Sequence, residues 1–167
     1  MTVSERVHLD LDAFVATEYL QVVAAVGLIT GNRQDAADAV QDAIVGFLAR
    51  PPAQPVANLA AWFTVVASNR VRDGYRTAGA RQRAASRLPA PPEDVSDPVR
   101  MLDHDVLRAL KSLPLQQRQV VALHYLMDQS VDTIAEGLGV SAGSVKTQLH
   151  RARKTLAGRI RVEDHRG

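Results

Sequence analysis

An all-α fold built from two small helical domains is predicted by three features of the 167-residue sequence. Aliphatic residues recur at helical spacing along most of the chain, and no stretch alternates apolar and polar residues over the length of a strand. Aromatic residues make up 4% of a sequence that is 46% hydrophobic, which favours aliphatic helix-on-helix packing. Leu88-Pro-Ala-Pro-Pro-Glu-Asp-Val-Ser-Asp-Pro98 then sets four prolines in eleven residues, a break that no helix can cross.

That break divides the chain into a first domain at 8–79, a linker at 80–100 and a second domain at 101–162. Proline favours extended backbone, so the linker is expected to be flexible at its joints, to span a distance and to leave the orientation of the two modules free.

Within the first domain, Phe14, Val15, Leu20, Val22, Val23 and Val26 predict one helix ending at Gly31-Asn32, a pair that tolerates left-handed backbone. A second helix is expected over 34–49, with Ala37, Val40, Ile44, Phe47 and Leu48 on one stripe and Asp35, Asp38 and Asp42 away from it, until Pro51-Pro52 stops it. A third begins near Asn58. It places Leu59, Trp62, Phe63 and Val66 at i, i+3, i+4 and i+7, while Asn58, Asn69, Arg72 and Arg76 share a polar face about 60° wide.

Composition narrows the function classes. With no cysteine there is no disulfide framework, thiolate metal site or Cys nucleophile. The five histidines show no ligand spacing with a second donor, so no metal and no cofactor is expected. A hydrolase is disfavoured because there is no nucleophile motif, Gly-rich phosphate loop or metal set, and no residue is assigned a catalytic role. The longest apolar run, Val22 to Ile29, is far below the roughly 20 residues that span a bilayer, and the N-terminal segment lacks a basic region followed by an apolar one. A soluble protein with no membrane partner is expected.

The net charge of +2 is unevenly spread. Residues 1–79 hold 6 basic and 8 acidic groups, whereas residues 101–167 hold 10 and 7. Arg70 to Arg87 carries six Arg against Asp73 alone, and Ser141 to Arg161 carries six Lys or Arg and no acid. Two cationic patches of this kind point to an anionic partner.

Residues 131–150, VDTIAEGLGVSAGSVKTQLH, match the helix-turn-helix pattern position by position. Ala135 is small where two helices cross, Gly139 supplies a positive φ, Ser141 is an N-cap and Val145 packs the second helix on the first. Val145, Leu149, Ala152 and Leu156 form the inward stripe of that helix; Gly143, Thr147, His150 and Lys154 lie opposite, flanked by Lys146 and Arg151. Such a helix enters the major groove with its N-terminal half towards base edges and its later basic residues on phosphates.

The lead-in at 107–126, LRALKSLPLQQRQVVALHYL, resembles region 4 of the bacterial sigma-70 family. The phrase at 31–42, GNRQDAADAVQD, and Asn58-Leu-Ala-Ala-Trp62-Phe63 followed by residues 67–76, ASNRVRDGYR, resemble region 2 of the same family. Together they are similar to an extracytoplasmic-function (ECF, group IV) RNA polymerase sigma factor.

The resemblance implies a bacterial, cytoplasmic subunit that binds core RNA polymerase through its β′ clamp helices and β flap, recognises promoter DNA, and pairs with an anti-sigma factor. It implies docking on the polymerase by Asp35, Asp38, Gln41 and Asp42. It implies minus-10 reading and melting by Asn58, Asn69, Arg72, Asp73, Tyr75 and Arg76, and minus-35 reading by Ser144, Lys146, Thr147, His150 and Arg151, to which the charge pattern adds Lys154. Trp62 and Phe63 are expected in the core. Four positions depart from the family pattern: Gln148 replaces a frequent Arg, Ser68 replaces the Arg of an "ARN" phrase, Arg70 takes an apolar position near the packed stripe, and Ala37 replaces a frequent Glu. The rival reading is a stand-alone helix-turn-helix transcriptional regulator, which would bind a palindromic site.

Overall fold

The computed structural model describes residues 1–77 and 104–164, with side chains described up to Gly74 and from His104 to Arg159. The predicted linker at 80–100 lies outside the described residues. The regular elements of the described residues are all helices, with no strand among them: α1 (Val3–Thr17), α2 (Tyr19–Thr30), α3 (Arg33–Ala49), α4 (Leu59–Thr77), α5 (His104–Lys111), α6 (Leu115–Val121), a π-helical turn (Ala122–Leu126), α7 (Val131–Leu138) and α8 (Ala142–Asp164).

The single N-terminal helix expected from the apolar spacing is two helices, bent by 69° at Glu18. The apolar stripe cannot run through that bend. Leu11 and Phe14 are buried on α1, Val22, Val23 and Val26 are buried on α2, and Val15 and Leu20 on either side of the break are exposed. α2 is apolar on almost every side, as a helix surrounded by other helices must be. It ends at Gly31, whose φ of +80° lets its N–H donate to the Gly27 carbonyl. Asn32 then caps α3, its Oδ1 accepting from the Asp35 N–H at 3.0 Å.

α3 turns a row of small residues, Ala36, Ala39, Val40 and Ala43, into the core together with Phe47. Leu48, expected on that stripe, is exposed, because the alanine row sets the rotation of the helix by allowing close approach. α4 starts where Asn58 Oδ1 accepts from the Ala61 N–H at 2.9 Å. Phe14, Phe47, Trp62 and Phe63 stack at centroid separations from 4.8 to 5.5 Å and join α1, α3 and α4.

Of the predicted stripe in α4, Phe63 is fully buried while Leu59, Trp62 and Val66 are half-buried against the core, and Ala61, Thr64, Val65 and Ser68, outside that stripe, are buried. Their cover comes from the second half of the chain, where α6 and α7 lie against α4. Leu28 and Ile29 of α2 share a buried cluster with Leu110, Leu113, Val121, Ala122 and Ala152. Val120, Leu123, Met127, Ile134 and Ala135 join the core of the first half. The orientation expected to be free is therefore fixed in this structure by apolar burial on both sides of the seam.

Candidate nucleic-acid interface

The helix-turn-helix is built as its residues dictate. Ser130 Oγ caps α7 by accepting from the Thr133 N–H at 3.1 Å, and Gly139 ends it at φ +67°. Ser141 Oγ accepts from the Ser144 N–H at 3.0 Å and opens α8. Val145, Leu149 and Ala152 are buried, fixing which side of α8 faces outward.

That outward side carries Lys146, Thr147, His150, Arg151 and Lys154, all exposed, with Ser144 half-buried beside them. Three fixed cations and no acid on one face make a surface that attracts phosphate. Neighbouring polar residues are held elsewhere. Arg153 donates from Nε to the Tyr125 hydroxyl at 2.5 Å and lies 5.6 Å from the centre of that ring. Gln148, where the family pattern has a frequent Arg, turns to α6 and donates to Gln116 Oε1 at 3.3 Å. Its departure is thus absorbed by packing within the second half.

The polar residues of α4 are placed differently. Asn58 and Asn69 are half-buried and face α6 and the turn before α7. Asn58 Nδ2 donates to Gln129 Oε1 at 2.6 Å, while its Oδ1 is occupied by the α4 cap. Gln119 Nε2 donates to Asn69 Oδ1 at 2.9 Å and to Ser68 Oγ at 2.8 Å. Ser68 in turn donates to the Thr64 carbonyl at 2.7 Å and is fully buried beneath Gln119, a place with room for a small hydroxyl where the family pattern has an Arg. Arg72 is exposed and paired with Asp73 at 3.3 Å. The side chains of Tyr75 and Arg76 lie outside the described residues.

Two cavities flank this seam. One, of about 420 Å³, lies beside Asn58 between the Pro52–Ala57 loop and α7. The other, of about 400 Å³, is lined by Thr30, Ser68, Arg72 and Arg118. Arg118 Nη1 donates to the Ile29 carbonyl at 2.5 Å, at the negative end of the α2 dipole. Its Nε is buried without a partner among the described residues, and this desolvation lowers the guanidinium pKa.

A third surface runs along α3. Asp38, Gln41 and Asp42 are exposed; Asp35, half-buried, sits in the first turn. Val45 is 64% exposed and Leu48 44%, and Val45 follows Asp38 and Gln41 at helical spacing. Acidic residues beside uncovered aliphatic ones suit a protein partner. Sequence reasoning found the acids and missed Val45, although the i, i+3, i+4, i+7 phase of 38, 41, 42 and 45 carried the signal. It also missed Gln119 and Gln129, which become informative only once α6 and the turn before α7 are seen against α4.

Among the described residues no group of three His, Asp or Glu is placed to hold a metal ion. No single described helix is long and apolar enough to cross a membrane; α1 and α2 qualify only as a bent pair, and α2 is buried in the core.

Known proteins share both halves. Residues 14–81 match the family described as Sigma-70 region 2, and residues 103–156 match Sigma-70, region 4. The ECF RNA polymerase sigma factor SigF of Caulobacter vibrioides is 32% identical over 143 residues, covering 81% of this chain and 76% of that protein. The ECF RNA polymerase sigma factor SigL of Mycobacterium tuberculosis is 29% identical over 144 residues, covering 77% and 76%. Among solved structures, the sigma factor RpoE of Bartonella quintana, in complex with the anti-sigma factor NepR, superposes with a TM-score of 0.69 at 22% identity, covering 92% of this chain and 98% of that one.

Proposed function

The chain belongs to the extracytoplasmic-function group of the sigma-70 family, and we propose that it directs core RNA polymerase to promoters by dividing three tasks among three helices. α3 docks on the β′ clamp helices through Asp35, Asp38, Gln41 and Asp42, with Val45 adding an apolar contact. α8 reads the minus-35 element: Ser144, Lys146, Thr147 and His150 face base edges, and Arg151 and Lys154 hold phosphates. α4 reads and helps to open the minus-10 element through Asn58, Asn69, Arg72, Asp73, Tyr75 and Arg76, the amides supplying base-edge hydrogen bonds and the arginines holding the separated strand. The domains at 8–79 and 101–162 and the joining segment at 80–100 belong to the same reading. The protein initiates transcription and performs no catalysis of its own.

The observation that carries this reading is a capped helix-turn-helix with an acid-free cationic face in the same chain as the acidic and aliphatic face of α3. Its place is the bacterial cytoplasm, where promoter and polymerase are. An anti-sigma partner, such as the one the Bartonella structure contains, is part of the proposal.

The test is transcription in vitro by purified core polymerase lacking sigma, on genomic promoter fragments, with and without this protein. Start-site-specific transcripts appearing only on its addition are expected, and Arg151→Ala should reduce them about tenfold or more, the size of one good charged contact. No transcripts and no co-elution with core enzyme, beside tight binding to a symmetric duplex, would favour a stand-alone regulator.

A further inference from the structure

We propose that the cavity between α2, α4 and α6 is a binding site for a small organic anion, a carboxylate or phosphate ester carried on an apolar body and held by Arg118 and Arg72. The inference goes beyond the roles given to α3, α4 and α8 above, and it stands whether or not α4 reads DNA.

The cavity holds about 400 Å³, within the range of sites that take small molecules. Three aliphatic side chains, Ile29, Val71 and Leu115, line it together with the two guanidinium groups, and among the described residues no acidic side chain does. The hydroxyls of Thr30 and Ser68, also in its wall, are spent on the Val26 and Thr64 carbonyls of their own helices, at 2.8 and 2.7 Å. Recognition of charge therefore falls to the arginines, and the aliphatic wall asks for more than a bare ion. Inorganic phosphate would leave Ile29, Val71 and Leu115 facing water, whereas a ring or short branched chain attached to the anion would cover them.

Arg118 carries the argument. Its Nη1 is fixed on the Ile29 carbonyl, whose partial negative charge at the end of α2 would otherwise repel an anion. Its Nε is buried and has no partner among the described residues. A buried charged donor left unbonded costs free energy that a hydrogen-bonded anion would recover. Nε and Nη2 together form the edge of a guanidinium that meets a carboxylate or a phosphate through two parallel bonds. A Leu or Met at this position would close the same space without burying a charge, so an Arg beside an open cavity is matched to a counter-ion. Arg72 adds a second cation at the wall. Its pairing with the neighbouring Asp73, at 3.3 Å, is exposed on both sides, a contact of the kind that contributes little and yields to a better-placed anion.

The test is an NMR titration of the full chain, labelled at Ile, Leu and Val methyls, with phenyl phosphate, benzoate and inorganic phosphate as separate probes. Ring protons of phenyl phosphate or benzoate should give intermolecular Overhauser effects to the methyls of Ile29, Val71 and Leu115, with half-saturation at about 1 mM or below for ligands of this size. Inorganic phosphate should bind at least about tenfold more weakly, and the tighter of the two ring probes distinguishes a phosphate ester from a carboxylate. Arg118→Leu should weaken the ring probes by about tenfold or more, the loss of one good charged contact. Leu115→Trp, which fills the cavity and leaves both arginines in place, should abolish the Overhauser effects, with the other methyl signals reporting that the fold is kept. Shifts confined to the cationic face of α8 around Lys146, Arg151 and Lys154 would overturn the site, as would inorganic phosphate binding as tightly as both ring probes or unchanged affinity in Arg118→Leu. If Arg118→Leu loses the native spectrum, the wild-type Overhauser effects and their loss or survival in Leu115→Trp decide the matter.

Discussion

Gly139 and Gly46 differ in what a methyl group would meet. Gly139 has φ +67° and open space around a would-be Cβ, so Gly139→Ala meets only backbone strain, about 1–2 kcal/mol. At Gly46, within α3, a Cβ would come 2.8 Å from Arg70 Nη2, the far end of an exposed and flexible side chain that can swing away. There the gain in helix propensity, up to about 1 kcal/mol, decides the sign. Thermal unfolding followed by circular dichroism should show Gly139→Ala lowering Tm by roughly 2–8 °C and Gly46→Ala leaving it unchanged or raising it. Equal losses in both would show that Arg70 cannot move. Gly139 was legible in the sequence from its turn position; Gly46 was not, because only the folded chain brings Arg70 to it.

Among the elements, α8 was the most legible. Its cap, its buried stripe and its cationic face all follow from residues within a few turns of one another, so local spacing determined them. α3 was legible in part: its acids announced a charged face, but Leu48 was assigned inward and Val45 was overlooked, because the alanine row that sets the helix rotation makes a weak apolar signal. The break at Glu18 had no glycine or proline to mark it, and α1 and α2 read as one helix. α4 was read as having one packed face and one polar face; its second cover lies 50 residues away along the chain at Gln119, beyond the reach of any periodicity. The corrected α3 face gives a prediction of its own. Val45→Asp and Asp38→Ala should each lower affinity for core enzyme, Val45→Asp by about tenfold or more as a charge enters an apolar contact, with helicity unchanged. The measurement is competition for core polymerase against a labelled wild-type chain. Unchanged affinity in Val45→Asp would return Val45 to an ordinary solvent-facing position, and unchanged affinity in Asp38→Ala would do the same for the acids.

At the scale of the whole molecule the question is whether two domains joined by a proline-rich segment behave as one folded unit. Ile29 is fully buried, yet the cluster around it is made largely of second-half residues, Leu110, Leu113, Val121, Ala122 and Ala152. Its burial therefore depends on closure, and a charge placed there has a low-cost escape: separation of the halves returns it to water at the C-terminal end of α2. Burying an unpaired carboxylate in the closed form would cost several kcal/mol, comparable with what a seam of this kind contributes. In scanning calorimetry the wild-type chain should unfold in one transition with matching calorimetric and van't Hoff enthalpies, because neither half can melt without uncovering the other. Ile29→Asp should divide that transition into two, each belonging to one half, with native helicity retained below both. A single transition shifted bodily downward would mean that Ile29 supports the first half directly and that the halves remain joined around the charge; two transitions already present in the wild type would mean that the seam contributes too little to couple them.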